Sequence, residues 1–160
     1  MADRLPVSLV VNGQRITATV EPRESLADLL RDRLRYTGTH IGCQQGSCGA
    51  CTVLMDGNSV RACLMLAIQA DGGSIETVEG LAPGDTALHP VQQALSSHHG
   101  LQCGFCTPGL QMTVVELLRR NPMPDDTEIR TALAGHMCRC TGYQGILEAV
   151  RSMVGPTLAP

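Results

Sequence analysis

All eight cysteines of this chain fall into two sets of four, and none is left over. Cys43, Cys48, Cys51 and Cys63 follow C-x4-C-x2-C-x11-C; Cys103, Cys106, Cys138 and Cys140 follow C-x2-C-x31-C-x-C. Any fold of this chain must gather four thiols at each of two places. The first spacing is that of a plant-type [2Fe–2S] site. Three thiolates on one tight loop approach a cluster from several sides, and a fourth arrives from a neighbouring strand. Such a loop needs backbone freedom, which Gly42, Gly46 and Gly49 supply. Small neighbours, Ser47 and Ala50, let backbone N–H groups come close to the sulfurs. Structural zinc favours two C-x2–4-C knuckles far apart, which the crowded first loop fits poorly. The second set is less diagnostic, and its spacing admits zinc as well as iron–sulfur. It shares a chain with the first set, and it lies where two helices are expected to start. Free N–H groups and the positive dipole end favour an anionic thiolate centre there.

The rest of the composition excludes several function classes. Three aromatic residues, Tyr36, Phe105 and Tyr143, and a net charge of -3 offer neither a base-stacking platform nor a basic footprint for nucleic acid. No apolar run reaches 18 residues, so no membrane span is expected. The start, MADRLPVSLVVNGQ, has no signal-type apolar core and no twin-arginine pair. A cytoplasmic setting is expected, where disulfides are disfavoured and the cysteines read as ligands.

The first half reads as mostly β. Val7, Leu9 and Val11 alternate, Asn12-Gly13 turns, and Ile16, Ala18 and Val20 return. Ser25 caps a helix bearing Leu26, Leu29, Leu30 and Leu34. Cys51 to Met55, Ser59 to Leu64 and Ile75 to Val78 read as strands, in an order compatible with a β-grasp. The turn-rich stretch Gly80 to Asp85 marks a boundary, giving domains 1–80 and 81–160. The second half reads as four short helices in a bundle. Their apolar stripes are Leu88, Val91, Leu95; Leu110, Val114, Leu117, Leu118; Ile129, Leu133; and Ile146, Val150, Met153. Pro108 sits in the first turn of the second helix, and Asn121-Pro122-Met123-Pro124 stops it. Thr127 is the expected cap of the third, which Gly135 ends, and the tail from Gly155 to Pro160 is expected to fray. The fold class is α+β: an N-terminal β-grasp ferredoxin-like domain, then a C-terminal four-helix-bundle [2Fe–2S] domain.

The segments GCQQGSCGACTVLMDG, QCGFCTPG and AGHMCRCTGY resemble the iron–sulfur subunit of the molybdenum hydroxylases, the family of xanthine dehydrogenase and carbon monoxide dehydrogenase. The likeness runs from Val7 to Val150. It implies a second [2Fe–2S] cluster on Cys103, Cys106, Cys138 and Cys140, nearest the molybdenum cofactor of a large partner subunit. It implies that the cluster on Cys43, Cys48, Cys51 and Cys63 lies toward FAD in a medium subunit. Gln102 matches the position that hydrogen-bonds the pterin, and Cys140 a ligand in contact with it. Electrons then pass from molybdenum through the second cluster and the first to FAD, in an assembly expected to be a dimer of heterotrimers. The chain departs from the family pattern at Gln44-Gln45, Thr39-His40 and His136, the last standing where Asn is usual, and none of these removes a ligand.

The expected function is therefore a non-catalytic electron-transfer subunit. No dinucleotide fingerprint is present. The rivals are a free-standing ferredoxin-like carrier and a zinc-stabilised interaction module. Other residues take plain readings. His98-His99 ends a surface helix, His40 and His136 bond backbone or face a partner, and Met112, Met123, Met137 and Met153 fill core. Arg139 is either solvated or paired with a partner group, and Phe105 packs over a cluster as a shield against water.

Overall fold

The computed structural model describes residues 4–82, 84 and 87–154. Strands β1 (Leu5–Val11) and β2 (Gln14–Val20) form an antiparallel hairpin. Asn12 and Gly13 both take positive φ, +49° and +80°, as a two-residue turn matched to strand twist requires. Val7, Leu9 and Val11 point inward and are buried. Ser25 caps the next helix, accepting a hydrogen bond from the Asp28 N–H at 3.1 Å. The helix α1 (Leu26–Asp28) then widens into a π-helical turn, Leu29–Arg33. With that wider turn Leu26, Ala27, Leu29 and Leu30 are all fully buried against the sheet.

The sheet is completed by β3 (Thr52–Met55), β4 (Asn58–Arg61) and β5 (Ser74–Glu76), in the order β2-β1-β5-β3-β4. The central β5 runs parallel to β1 and antiparallel to β3. This is the β-grasp arrangement, with α1 held against a mixed sheet. Two boundaries differ from the sequence reading. The fourth strand ends at Arg61, so Cys63 sits in the turn beyond it, where the Leu64 N–H reaches the Arg61 carbonyl at 2.9 Å. The last strand stops at Glu76, because Val78 already begins a 3-10 turn, Val78–Gly80.

Four helices follow: α2 (Pro90–Ser97), α3 (Thr107–Arg120), α4 (Asp126–Leu133) and α5 (Gln144–Met153). They pack α2 on α5 and α3 on α4, around Leu95, Leu110, Met112, Val114, Leu117, Ile129, Ile146 and Val150. His98 forms the C-cap of α2, as the sequence suggested. Thr127 does not cap α4. Asp125 does, because its carboxylate accepts from the Glu128 N–H at 2.8 Å while the Glu128 carboxylate accepts from the Asp125 N–H at 2.9 Å. Pro83 and Asp85 of the expected boundary, and the stretch 155–160, lie outside the described residues.

The two halves share β3. Successive side chains of a strand face opposite sides, so Val53 joins the core under α1 while Leu54 joins the helical core, where α3 packs on β3. The bidentate pair of Arg119 on α3 with Glu76 on β5, at 2.8 and 2.9 Å, braces the same junction. The observed cap predicts that Asp125→Ala lowers stability by about 1 kcal/mol and Thr127→Ala by much less, read from denaturant midpoints.

Candidate functional site

The first cysteine set is built on the loop between α1 and β3. Positive φ at Gln44, Gly46 and Gly49 coils it tightly, and Cys51 and Cys63 meet where β3 begins and β4 ends. The Ala62 N–H reaches the Cys51 carbonyl at 3.2 Å, and the Cys48 N–H points at Cys43 Sγ at 3.4 Å. The four thiols sit in unlike surroundings. Backbone N–H groups of Gln45 and Cys48, then the Ser47 hydroxyl, hold Cys43 down to about 6. Burial pushes Cys51 up to about 11. A solvent-side thiolate is thus ready to ligate, while a buried thiol ionises only with its cofactor.

The second set stands at two helix starts. Cys106 is the N-cap residue of α3, and Cys138 and Cys140 lie on the turn before α5. Burial, then the neighbouring Cys138 thiol, pushes Cys106 up to about 12. At Cys138 burial opposes ionisation, but the Thr141 hydroxyl at 3.0 Å and nearby backbone N–H groups outweigh it and the thiol is lowered. Tyr143, with φ +67°, folds its hydroxyl back over the turn. The hydroxyl accepts from the Cys138 N–H at 2.8 Å and donates to the His136 carbonyl at 3.1 Å. Cys103 and Cys140 are the exposed members. The Cys103 thiol raises Cys140 by hydrogen bonding to it. Gln102 Nε2 donates to the Cys140 carbonyl at 3.1 Å, so the sequence-selected Gln102 and Cys140 do meet.

The two sites abut. Gly49 lies so close to the turn after α4 that an added Cβ would come within 2.5 Å of the Gly135 carbonyl and of His136 Nδ1. A Cβ on Gly109, in the first turn of α3, would strike the Gly49 carbonyl. The Met137 N–H donates to the Cys48 carbonyl at 3.0 Å, joining a residue beside Cys138 to a ligand position of the first set. His40 Nδ1 bonds the Phe105 carbonyl at 2.8 Å, and their rings stack with centroids 4.9 Å apart. Phe105, 48% exposed, rests on His40 and over Gly42, a lid across both loops. His136 is 2% exposed, and its Nε2 bonds Thr113 Oγ1 at 2.7 Å. Its Nδ1 has no partner among the described residues. Burial, then the Arg61 guanidinium, lowers His136 to about 4, so it is neutral.

The donor chemistry fits thiolate-held clusters: eight free cysteines in two quartets, backbone N–H groups near sulfur, and glycines where backbones close in. Among the described residues no three His, Cys, Asp or Glu side chains converge as they would around one metal ion, so the choice between iron–sulfur and zinc rests on spacing and backbone donors rather than on thiol geometry. Sequence reasoning missed Arg61 and Thr113. A lone Arg on a strand and a Thr inside a helix carry no motif, and only the fold brings them to the junction.

The comparisons with known proteins agree with this geometry. The model of the "2Fe-2S iron-sulfur cluster binding domain" matches residues 9–82, and that of the "[2Fe-2S] binding domain" residues 77–151. The nicotine 6-hydroxylase small subunit of Paenarthrobacter nicotinovorans is 54% identical over 96% of this chain and 92% of its own. The caffeine dehydrogenase subunit gamma of Pseudomonas sp. (strain CBB1) is 56% identical over 94% of this chain and 91% of its own. A chain of quinoline 2-oxidoreductase from Pseudomonas putida 86 superposes with a TM-score of 0.89 at 49% identity, over 92% of this chain and 90% of that one. Among the described residues no helix is long and apolar enough to cross a membrane.

His136 yields a pH prediction. The unfolded imidazole takes its proton near pH 6.5 and the folded one near 4. Between those values the unfolded state binds more protons, so stability falls as pH falls. The contribution lost is roughly 3 kcal/mol. His136→Asn is expected to remove this part of the pH dependence, seen by comparing unfolding of both proteins at pH 7 and pH 4.5.

Proposed function

The chain belongs to the iron–sulfur subunits of the molybdenum hydroxylase family, and we propose that it relays electrons through two [2Fe–2S] clusters within such an oxidoreductase. The observation that carries this is that each cysteine set falls within one of the two matched [2Fe-2S] domains, and the loops bearing them touch through the Met137 N–H on the Cys48 carbonyl. When bound, each cluster takes up and gives back one electron without group transfer. Cys43, Cys48, Cys51 and Cys63 hold one, in domain 1–80; Cys103, Cys106, Cys138 and Cys140 hold the other, in domain 81–160. The protein's part is to fix their positions, donate N–H groups to sulfur and exclude water.

The proposed direction runs from a molybdenum-cofactor subunit to the second set, then to the first set and to FAD in a medium subunit. Two exposed apolar patches support docking on both sides. Leu101, Phe105 and Met137 (63% exposed) flank the second set, and Leu64 and Leu66 flank Cys63. Gln102, tied to the exposed Cys140, is the residue we propose to meet the pterin. The assembly proposed is a dimer of heterotrimers in the cytoplasm, where free cysteines persist. The relatives compared are named for nicotine, caffeine and quinoline, all nitrogen heterocycles. We therefore propose a nitrogen-heterocyclic aromatic substrate, bound by the large subunit.

Analysis of the purified chain is expected to find about four iron and four acid-labile sulfides, as two [2Fe–2S] clusters require; half that amount refutes the relay. Cys103→Ser is expected to lose one electron paramagnetic resonance signal and halt electron flow from molybdenum, while the signal of the Cys43-loop cluster persists. A free-standing carrier would instead purify as a monomer, without flavin or molybdopterin.

A further inference from the structure

We infer that Arg61 is a positioning residue that sets the separation of the two cysteine sets; the inference rests on the two-cluster reading above. Arg61 ends β4, two residues before Cys63. Its guanidinium forks across the junction. One nitrogen donates to Thr52 Oγ1, on the residue after Cys51, and the other donates to the Gly135 carbonyl at 2.8 Å. Thr52 Oγ1 in turn donates to the Gly49 carbonyl at 2.6 Å. One side chain therefore ties the loop of the first set to the turn that carries the second, across 74 positions of sequence.

Three features suit Arg61 to this task. The Gly135 carbonyl lies in the turn just beyond the C-terminus of α4, where a cation is favoured by the helix dipole. The planar fork serves two acceptors at once, which a lysine ammonium on a flexible stem does less well. The tie is also short in sequence to Cys138: from Gly135 the chain passes His136, whose carbonyl is held by the Tyr143 hydroxyl, and Cys138, whose N–H is held by the same hydroxyl. A shift at Gly135 is thus transmitted to a ligand of the second set. Gly135 itself leaves room for the guanidinium, which lies 2.6 Å from where a Cβ would stand. A second side-chain tie between the halves near the cysteines, His40 to the Phe105 carbonyl, is exposed, whereas the Arg61 bonds are partly buried. The remote Arg119–Glu76 pair joins the same two halves without touching either cysteine turn.

The test is magnetic. In the full chain with both clusters reduced by dithionite, the two paramagnets split each other's signals by an amount that falls as the inverse cube of their separation. Arg61→Met is expected to keep four iron per chain and both signals while shifting or broadening that splitting. Arg61→Lys, serving one acceptor at a time, is expected to fall between wild type and Arg61→Met, and it carries the test alone if the methionine variant fails to fold. Arg119→Met is the structural control and is expected to leave the splitting unchanged. Wild-type splitting in the Arg61 variants overturns the inference, as does an equal change in Arg119→Met. A wild-type chain with only one signal refutes the two-cluster reading instead, and the inference falls with it.

Discussion

Backbone packed directly on backbone, where Gly49 meets the turn at Gly135 and the first turn of α3 at Gly109, is the contact on which both cysteine sites depend. A side chain at either glycine would push the loop of the first set away from the elements carrying the second. With none there, the Met137 N–H reaches the Cys48 carbonyl, and His136 fills the remaining space against Thr113. His136 is buried there, and burial and Arg61 both disfavour a charged imidazole. Close packing of this kind resists deformation and so holds the two cysteine loops at a fixed spacing.

The protonation pattern of the cysteines follows from the same packing. In each set one thiol is buried and strongly resists ionisation, Cys51 and Cys106, while another is stabilised as thiolate by hydrogen bonds, Cys43 and Cys138. The resisting thiols lie where the sites back onto protein, and Cys103 and Cys140 stand out toward solvent. The second set therefore has two exposed thiols opposite its buried one, while the first set has Cys51 buried and its other three thiols half-buried. Exposed apolar residues stand near both sets, Leu64 and Leu66 by Cys63, and Leu101, Phe105 and Met137 by the second set.

The division into a sheet half and a helical half is real in composition but incomplete in energy. Val53 and Leu54 on β3 bury in different cores, so the strand after Cys51 belongs to both. A chain of 160 residues split into separate halves would leave each with a marginal core. Sharing β3 and packing α3 upon it gives each half a larger buried surface, and it places the helix that starts at Cys106 against the strand that starts after Cys51.

Much of this was legible in order along the chain. Alternation in Val7, Leu9 and Val11, the Asn12-Gly13 turn, the Ser25 cap and the helical stripes are local signals that place their elements, except that Leu88 of the first stripe precedes α2 and is exposed. The cap of α4 was misread at Thr127 because Asp125 and Thr127 are both acceptable capping residues, and only the reciprocal bond with Glu128 separates them. The two [2Fe–2S] domains were legible because cysteine spacing is set by the reach of a loop around its cofactor, and each cysteine set lies within one domain match. What the tertiary structure decided is how the quartets lie against each other: Arg61 on Gly135, Thr113 on His136, His40 on Phe105. Those partners stand 74, 23 and 65 positions apart. No periodicity or motif links residues so distant, because their meeting depends on two surfaces packing, which becomes defined only once both halves have folded.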